Sequence, residues 1–383
     1  MSSRVSLRGI SWNHSRAYPP LVAAAQRFEE THPGVDVRWS KRSLHEFGHT
    51  SVAALAREFD LLVIDHPSAG EVLAHGALLM LEDRLPLTWQ KDLADHSVGE
   101  SFASYVFDGH LFALPIDAAS PVAACRKDLL DRLGVSIPSD WGEVMALARS
   151  GKVVIPGFHV DVLLTFLGIC VSSGGCMFSG NGVVQKEVGR SCLQMLRELA
   201  TYVPEEAWNC NPIAVYEEMS LREDWVYCPF GYGYHNYSRP GFARHPLQFA
   251  NLVSLPSGAR LRGVLGGTGL AIATGCKNPE LALEFSMYVA SESCQRHIYL
   301  LSGGQSAHAC VWKDETANLL SGNFFENTFE STQQAWVRPR YAGYIGFQER
   351  AGVPIVEYLR HGGSEDRVLE TVDRVYRESH AKA

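Results

Sequence analysis

The chain has 383 residues, 46% of them hydrophobic and 20% charged, and its formal net charge is −8. That length exceeds one ordinary hydrophobic core, so two domains are expected. The acidic balance, with no Lys/Arg stripe to neutralise phosphates, argues against a nucleic-acid partner, and no span approaches the roughly 20 apolar residues that cross a membrane.

In chain order, Val5 to Ser11 reads as a strand and Pro19 to Glu30 as an amphipathic helix with Leu21, Ala24, Ala25 and Phe28 on one stripe. His32-Pro33-Gly34 breaks that helix, and Val35 to Trp39 alternates as a second strand. A short helix then precedes the run Leu61-Leu62-Val63-Ile64, whose unbroken greasiness suits a strand covered on both faces. Pro67 cannot continue a ladder, and Ser68-Ala69-Gly70 suits a turn into a helix at Glu71. Asp65 and His66 thus stand at the carboxyl end of a buried strand, where open α/β sheets place their ligands. Asp65 equally suits a cap for the helix near Ser68.

Asp108-Gly109 marks a hairpin turn inside Tyr105 to Pro115. Val122 to Arg126 reads as a strand, Lys127 to Leu133 as a helix capped by Gly134, and Trp141 to Ser150 as another helix. Helices dominate to about residue 225, where Trp225 to Pro229 reads as a strand opening a Gly/Tyr-rich loop. Leu252 to Thr274 is strand-rich, Pro279 to Ser291 is an amphipathic helix, and Ile355 to His380 is largely helical. No repeat of solenoid period is present.

The start, MSSRVSLRGISWNH, lacks the apolar core of a secretory signal. Nine cysteines, at 125, 170, 176, 192, 210, 228, 276, 294 and 310, include no C-x-x-C pair and sit mostly in apolar settings. Together these favour a reducing, cytoplasmic setting for the chain as read, and the periplasm if a signal has been trimmed.

Six or seven of these passages, in this order, resemble the family 1 extracellular solute-binding proteins of ABC transporters, the group of maltose-binding protein. They run from LVAAAQRFEETHPGVDVRW and FDLLVIDHPSAGEVLAHGALLML through YVFDGHLFALPIDAASPVAACRKDLLDRLG and GLAIATGCKNPELALEFSMYVASESCQRHI to SGGQSAHACVW and VRPRYAGYIGFQERAG. The resemblance implies an α/β, two-lobed periplasmic-binding-protein fold of the type II flytrap kind, each lobe a sheet flanked by helices. Lobe one takes 1–114 plus 257–305 and lobe two 115–256 plus 306–383, with hinges near 114–117 and 256–258 and a further crossing near 305. A monomer is implied that closes over one small polar molecule, carbohydrate or polyol first and small carboxylate second. No cofactor or metal is implied, and an ABC transporter permease is the implied partner.

On that frame Trp12, Asn13 and His14 follow the first strand and suit stacking and hydrogen bonding to a polar ring, as do Asp65 and His66. Asp117 follows the first hinge. Tyr232, Tyr234 and Asn236 lie in PFGYGYHNYSRPG, whose rigid aromatics between glycines suit a recognition surface. Gly267 and Thr268, and Gln305 after Gly303-Gly304, offer close backbone approach, or merely tight turns. Arg338 or Arg340, beside Tyr341 and Tyr344, suits a carboxylate clamp or a surface ion pair. His159 and Asp161 are candidates in lobe two, Asp161 being read first as a helix N-cap.

Two rival readings stand beside this one. His45-Glu46-Phe47-Gly48-His49 matches H-E-x-x-H, with Glu71 downstream, but Gly48 weakens the helix that a zinc peptidase needs. A flytrap-fold enzyme of the thiaminase kind needs a Cys nucleophile, for which Cys125 is the candidate. Its apolar neighbours Val122-Ala123-Ala124 favour a structural thiol instead.

Overall fold

The computed structural model describes residues 4–180 and 182–380. The chain forms two compact units. The first holds the residues up to Ala119, Gly266–Ala317 and Arg340–Ile345, and the second Ser120–Leu265, Asn318–Pro339 and the residues from Gly346 onward. The strands are β1 (Val5–Trp12), β2 (Val35–Arg42), β3 (Leu61–Ile64), β4 (Val106–Phe107), β5 (His110–Leu111), β6 (Leu114–Ala119), β7 (Pro121–Cys125), β8 (Tyr227–Tyr232), β9 (Gln248–Ala250) and β10 (Gly266–Ile272).

The first unit is built on a five-stranded sheet of order β2-β1-β3-β10-β6. β1 runs parallel to β2 and β3, whereas β10 is antiparallel to both β3 and β6. All four residues of β3 are buried, as its continuous apolar run requires. Gly9 lies opposite Trp39 in the β1–β2 register, and a Cβ there would meet the indole at 2.6 Å, so the small residue makes room for the large one. The helix Tyr18–Thr31 buries Leu21, Ala24, Ala25 and Phe28. Phe28 meets Phe285 of the helix Pro279–Ala290 edge-on at 5.2 Å. The β4–β5 turn has Asp108 and Gly109 at φ 51° and 82°, the doubly left-handed geometry that selects Asp-Gly.

The turn after β3 packs against distant residues. His66–Ser68 forms one 3-10 turn leading into the helix Ala69–His75. The Gly70 amide donates to the Arg340 carbonyl at 2.7 Å, and a Cβ on Gly70 would collide with the backbone of Tyr341 and Ala342. Only glycine lets the 340–345 segment lie against this helix.

The second unit carries an antiparallel sheet of order β8-β7-β9, surrounded by helices that include His159–Ser172, Lys186–Ala200, Pro212–Leu221 and Phe324–Gln333. Glu365–His380 packs on Lys186–Ala200, where Gly189 admits Leu369 and Arg190 pairs with Asp366 at 2.7 Å.

Three expectations shift. The second strand continues past Trp39 to Arg42, because V-D-V-R-W-S-K-R keeps its extended pairing with β1 throughout. The strand expected at Trp225–Pro229 runs Tyr227–Tyr232, which absorbs the first four residues of the aromatic loop. Between β9 and β10 the expected strand-rich stretch is irregular, held by isolated bridges such as Val264 to Trp336.

Candidate ligand-binding site

In the first unit the carboxyl ends of β1, β2 and β3 gather aromatic and charged side chains. Trp12 closes β1, directly opposite Arg42 at the end of β2. The indole stacks on His14 at 5.6 Å, the Arg16 guanidinium lies 5.7 Å from its ring centre, and Phe47 is tilted against it at 5.8 Å. The His14 Nδ1 accepts the Arg16 amide hydrogen at 3.0 Å. Burial, reinforced by the Arg16 charge, lowers the His14 pKa to about 4, so the ring is neutral at pH 7. Asn13 beside it is exposed.

Asp117, midway along β6, is buried and receives Arg16 in a two-point ion pair, the Arg16 Nε donating at 2.8 Å and the Nη2 to the other oxygen. Burial pushes the Asp117 carboxyl up, and the Arg16 charge and hydrogen bond oppose that push. The expected ligand contact at Asp117 is therefore already engaged by a protein cation, which ties the loop after β1 to the middle of β6 at the far edge of the sheet.

Asp65 and His66 separate in role. Asp65 stays half-buried, and its carboxylate lies 3.1 Å from the His66 Nδ1, but it makes no side-chain cap to the turn that follows. His66 is fully buried with its ring at the edge of Tyr105, whose hydroxyl donates to the Ile64 carbonyl at 3.2 Å. Gly267 sits at φ 104° inside β10, where a Cβ would strike the Asp117 carbonyl, so its smallness serves strand pairing. Thr268 is buried opposite Asp117. Gln305 is buried and donates to the Ala118 carbonyl at 2.8 Å, while its own carbonyl accepts the Ala118 amide at 3.1 Å. Arg340 donates to the carbonyls of Ala103, Ser104 and Val106 at 3.0, 2.9 and 2.7 Å, which accounts for it as a local tie. Tyr341 and Tyr344 meet edge-on at 5.7 Å.

In the second unit the aromatic loop turns inward. Tyr234 and Asn236 are buried, and Tyr216, Tyr234 and Tyr237 pack edge-on against one another. These residues build core there, against the expected recognition surface. Tyr232 remains half-buried and donates to the Val264 carbonyl at 3.0 Å. Arg338 is buried and donates to Gln348 at 2.8 Å. Asp161 does not cap its helix: Phe158 holds the N-cap position and Asp161 lies in the first turn, where burial pushes its pKa up to about 8. His159 pairs with Glu349 at 3.2 Å.

The rival motifs fare differently. Glu46 completes a capping box, accepting from the Ser43 amide and hydroxyl at 2.7 and 2.8 Å, while the side chains of His45 and His49 lie outside the described residues. Cys125 is buried and its thiol is pushed up to about 12, the wrong direction for a nucleophile. Glu292, His308 and Cys310 place ligand-type atoms within 4.8 Å of one another, but the Arg296 guanidinium lies 3.2 Å from Glu292 in the same cluster. The sequence reading missed Arg16, Arg42 and Phe47. The continued alternation to Arg42 is the signal that pointed there.

Solved structures match the whole chain. The maltose-bound MalE3 of T. maritima has a TM-score of 0.83 at 18% identity, covering 99% of this chain and 100% of that one. The GacH receptor of Streptomyces glaucescens, studied with acarbose, gives 0.80 at 17%, covering 99% of each chain. A ribitol-bound ABC transporter solute-binding protein of Agrobacterium radiobacter gives 0.79 at 18%, covering 98% and 99%. Residues 11–172 match the family model described as bacterial extracellular solute-binding protein. The fold is that of the solute-binding proteins. The resemblance to their maltose-binding-type members thus extends from scattered sequence passages to the path of the whole backbone, and the matched residues 11–172 contain Trp12, Arg42, Asp65 and Asp117.

Proposed function

We propose that the protein is a solute-binding protein that holds a small polar organic ligand of the sugar or polyol class and serves ABC-type uptake or sensing. The observation that carries this reading is the first unit's sheet, whose parallel strands β1, β2 and β3 bring Trp12, His14, Arg42 and Asp65 to one end. Maltose, acarbose and ribitol, bound in the matched structures, support the ligand class. Trp12, Asn13, His14 and Asp65 are the contacts proposed in this unit. An ABC permease is the proposed partner.

The test is a thermal-shift screen of sugars, polyols and small carboxylates, followed by recovery of the bound compound. A binder raises the melting temperature by mass action and returns the compound unchanged. Turnover of any hit, abolished by Cys125→Ser, overturns the reading in favour of an enzyme. A screen in which every compound leaves the melting temperature unmoved also counts against it.

A further inference from the structure

Arg42 is 9% exposed, yet its guanidinium has little to hold. The Nη2 donates to the Val63 carbonyl at 3.2 Å, while Nε and Nη1 are buried without an acceptor among the described residues. The group lies 5.0 Å from the ring centre of Phe47, which supplies an aromatic face but no acceptor oxygen. The acidic side chain that acts on Arg42 is Glu46, and that carboxylate already accepts both Ser43 donors of the capping box. The neighbouring cation Arg16 is neutralised by Asp117, and His14 is neutral. One buried positive charge with two unfilled donors is thus left at the strand ends that the sheet presents.

A buried N–H without an acceptor costs its desolvation, and more so when it carries charge. A neutral hydroxyl would fill a donor but leave the charge uncompensated. An oxyanion answers both needs, because it accepts from several N–H groups and cancels the charge. We propose that the ligand is an anionic sugar or polyol derivative, a sugar acid or a sugar phosphate, whose oxyanion is received by the Arg42 guanidinium. This inference rests on the solute-binding reading above and narrows its ligand class. It also moves the anion contact from Arg338 and Arg340, which donate to Gln348 and to three backbone carbonyls, to a cation still lacking acceptors.

The experiment uses the full chain and calorimetric titration with D-glucose, D-glucuronate and D-glucose 6-phosphate, and with D-mannitol, D-mannonate and D-mannitol 1-phosphate. The expected result is that one anionic member binds at least about tenfold tighter than its neutral counterpart, the scale of one charge-assisted hydrogen bond. The carboxylate and phosphate arms distinguish the two sources of the oxyanion. Arg42→Gln should erase that preference while melting no lower than the parent without ligand, since it removes an uncompensated buried charge. Arg42→Lys, which keeps the charge and fewer donors, should retain part of the preference and serves should the glutamine variant not fold. Neutral members binding as tightly as anionic ones, with Arg42→Gln changing neither, overturns the anion assignment and leaves the solute-binding reading standing. Failure of every member of both series to bind overturns the anion assignment and counts against the solute-binding reading as well.

Discussion

Arg16 and Asp117 show how much a single buried pair governs at the residue scale. Each is nearly inaccessible to water, so neither can fall back on solvent when its partner is removed. Arg16→Met should cost about 3–5 kcal/mol in urea unfolding. Adding Asp117→Leu to that variant should restore a large part of the loss, because both desolvated charges are then gone. Asp161 makes a second prediction, with its sign set by burial. Its folded pKa, about 8, lies above the ordinary 3.8, so the protonated form is favoured in the native state. Its contribution is whole below about pH 3.8 and is lost as the pH rises through about 8. Asp161→Asn should therefore stabilise the protein at pH 9 by up to about 6 kcal/mol, given a shift of about four pKa units at about 1.4 kcal/mol each. Near pH 4 the same change should have little effect, and melting curves across that range check both limits.

Elements are positioned here by glycines whose need arises elsewhere in the chain. Gly70 opens a helix of seven residues, but what forbids a side chain there is the backbone at 341–342. Gly70→Ala should cost about 1–3 kcal/mol through overpacking and lower the melting temperature accordingly. Gly267→Ala should cost at least as much, since it adds a left-handed backbone to a clash with the Asp117 carbonyl. Gly70 packs against residues 340–342, away from the Arg16–Asp117 pair that Gly267 abuts, so ligand affinity of Gly70→Ala separates a stability defect from a binding defect.

At the scale of the whole molecule the nine cysteines form a built-in probe of packing. All are free: Cys125, Cys170, Cys192, Cys228, Cys276 and Cys294 are buried, Cys210 and Cys310 are half-buried, and Cys176 is exposed. A thiol reagent should label Cys176 fast, Cys210 and Cys310 slowly, and the remaining six only in denaturant. Fast labelling of Cys125 in the native protein would revive the enzyme reading, because burial holds its thiol protonated. The two units draw on separate stretches of chain, so their sheets close only after residues far apart in sequence meet.

Local chemistry carried the sequence reading a long way. The strand β1, the alternation of β2, the unbroken greasiness of β3, the Asp-Gly hairpin and the capped helix before Gly134 were all legible, because periodicity and turn geometry act within a few residues. The strand ends that bear the candidate site were legible for the same reason. What tertiary structure alone decided is which polar groups there are already satisfied. Asp117 is matched by Arg16, 101 positions away. Arg340 is spent on the carbonyls of 103, 104 and 106, and the tyrosines beyond β8 are drawn into a core. Arg42 keeps two buried donors without acceptors among the described residues. Such pairings join segments that share no periodicity, so the one-dimensional pattern names the candidates and only the folded chain shows which of them have been neutralised.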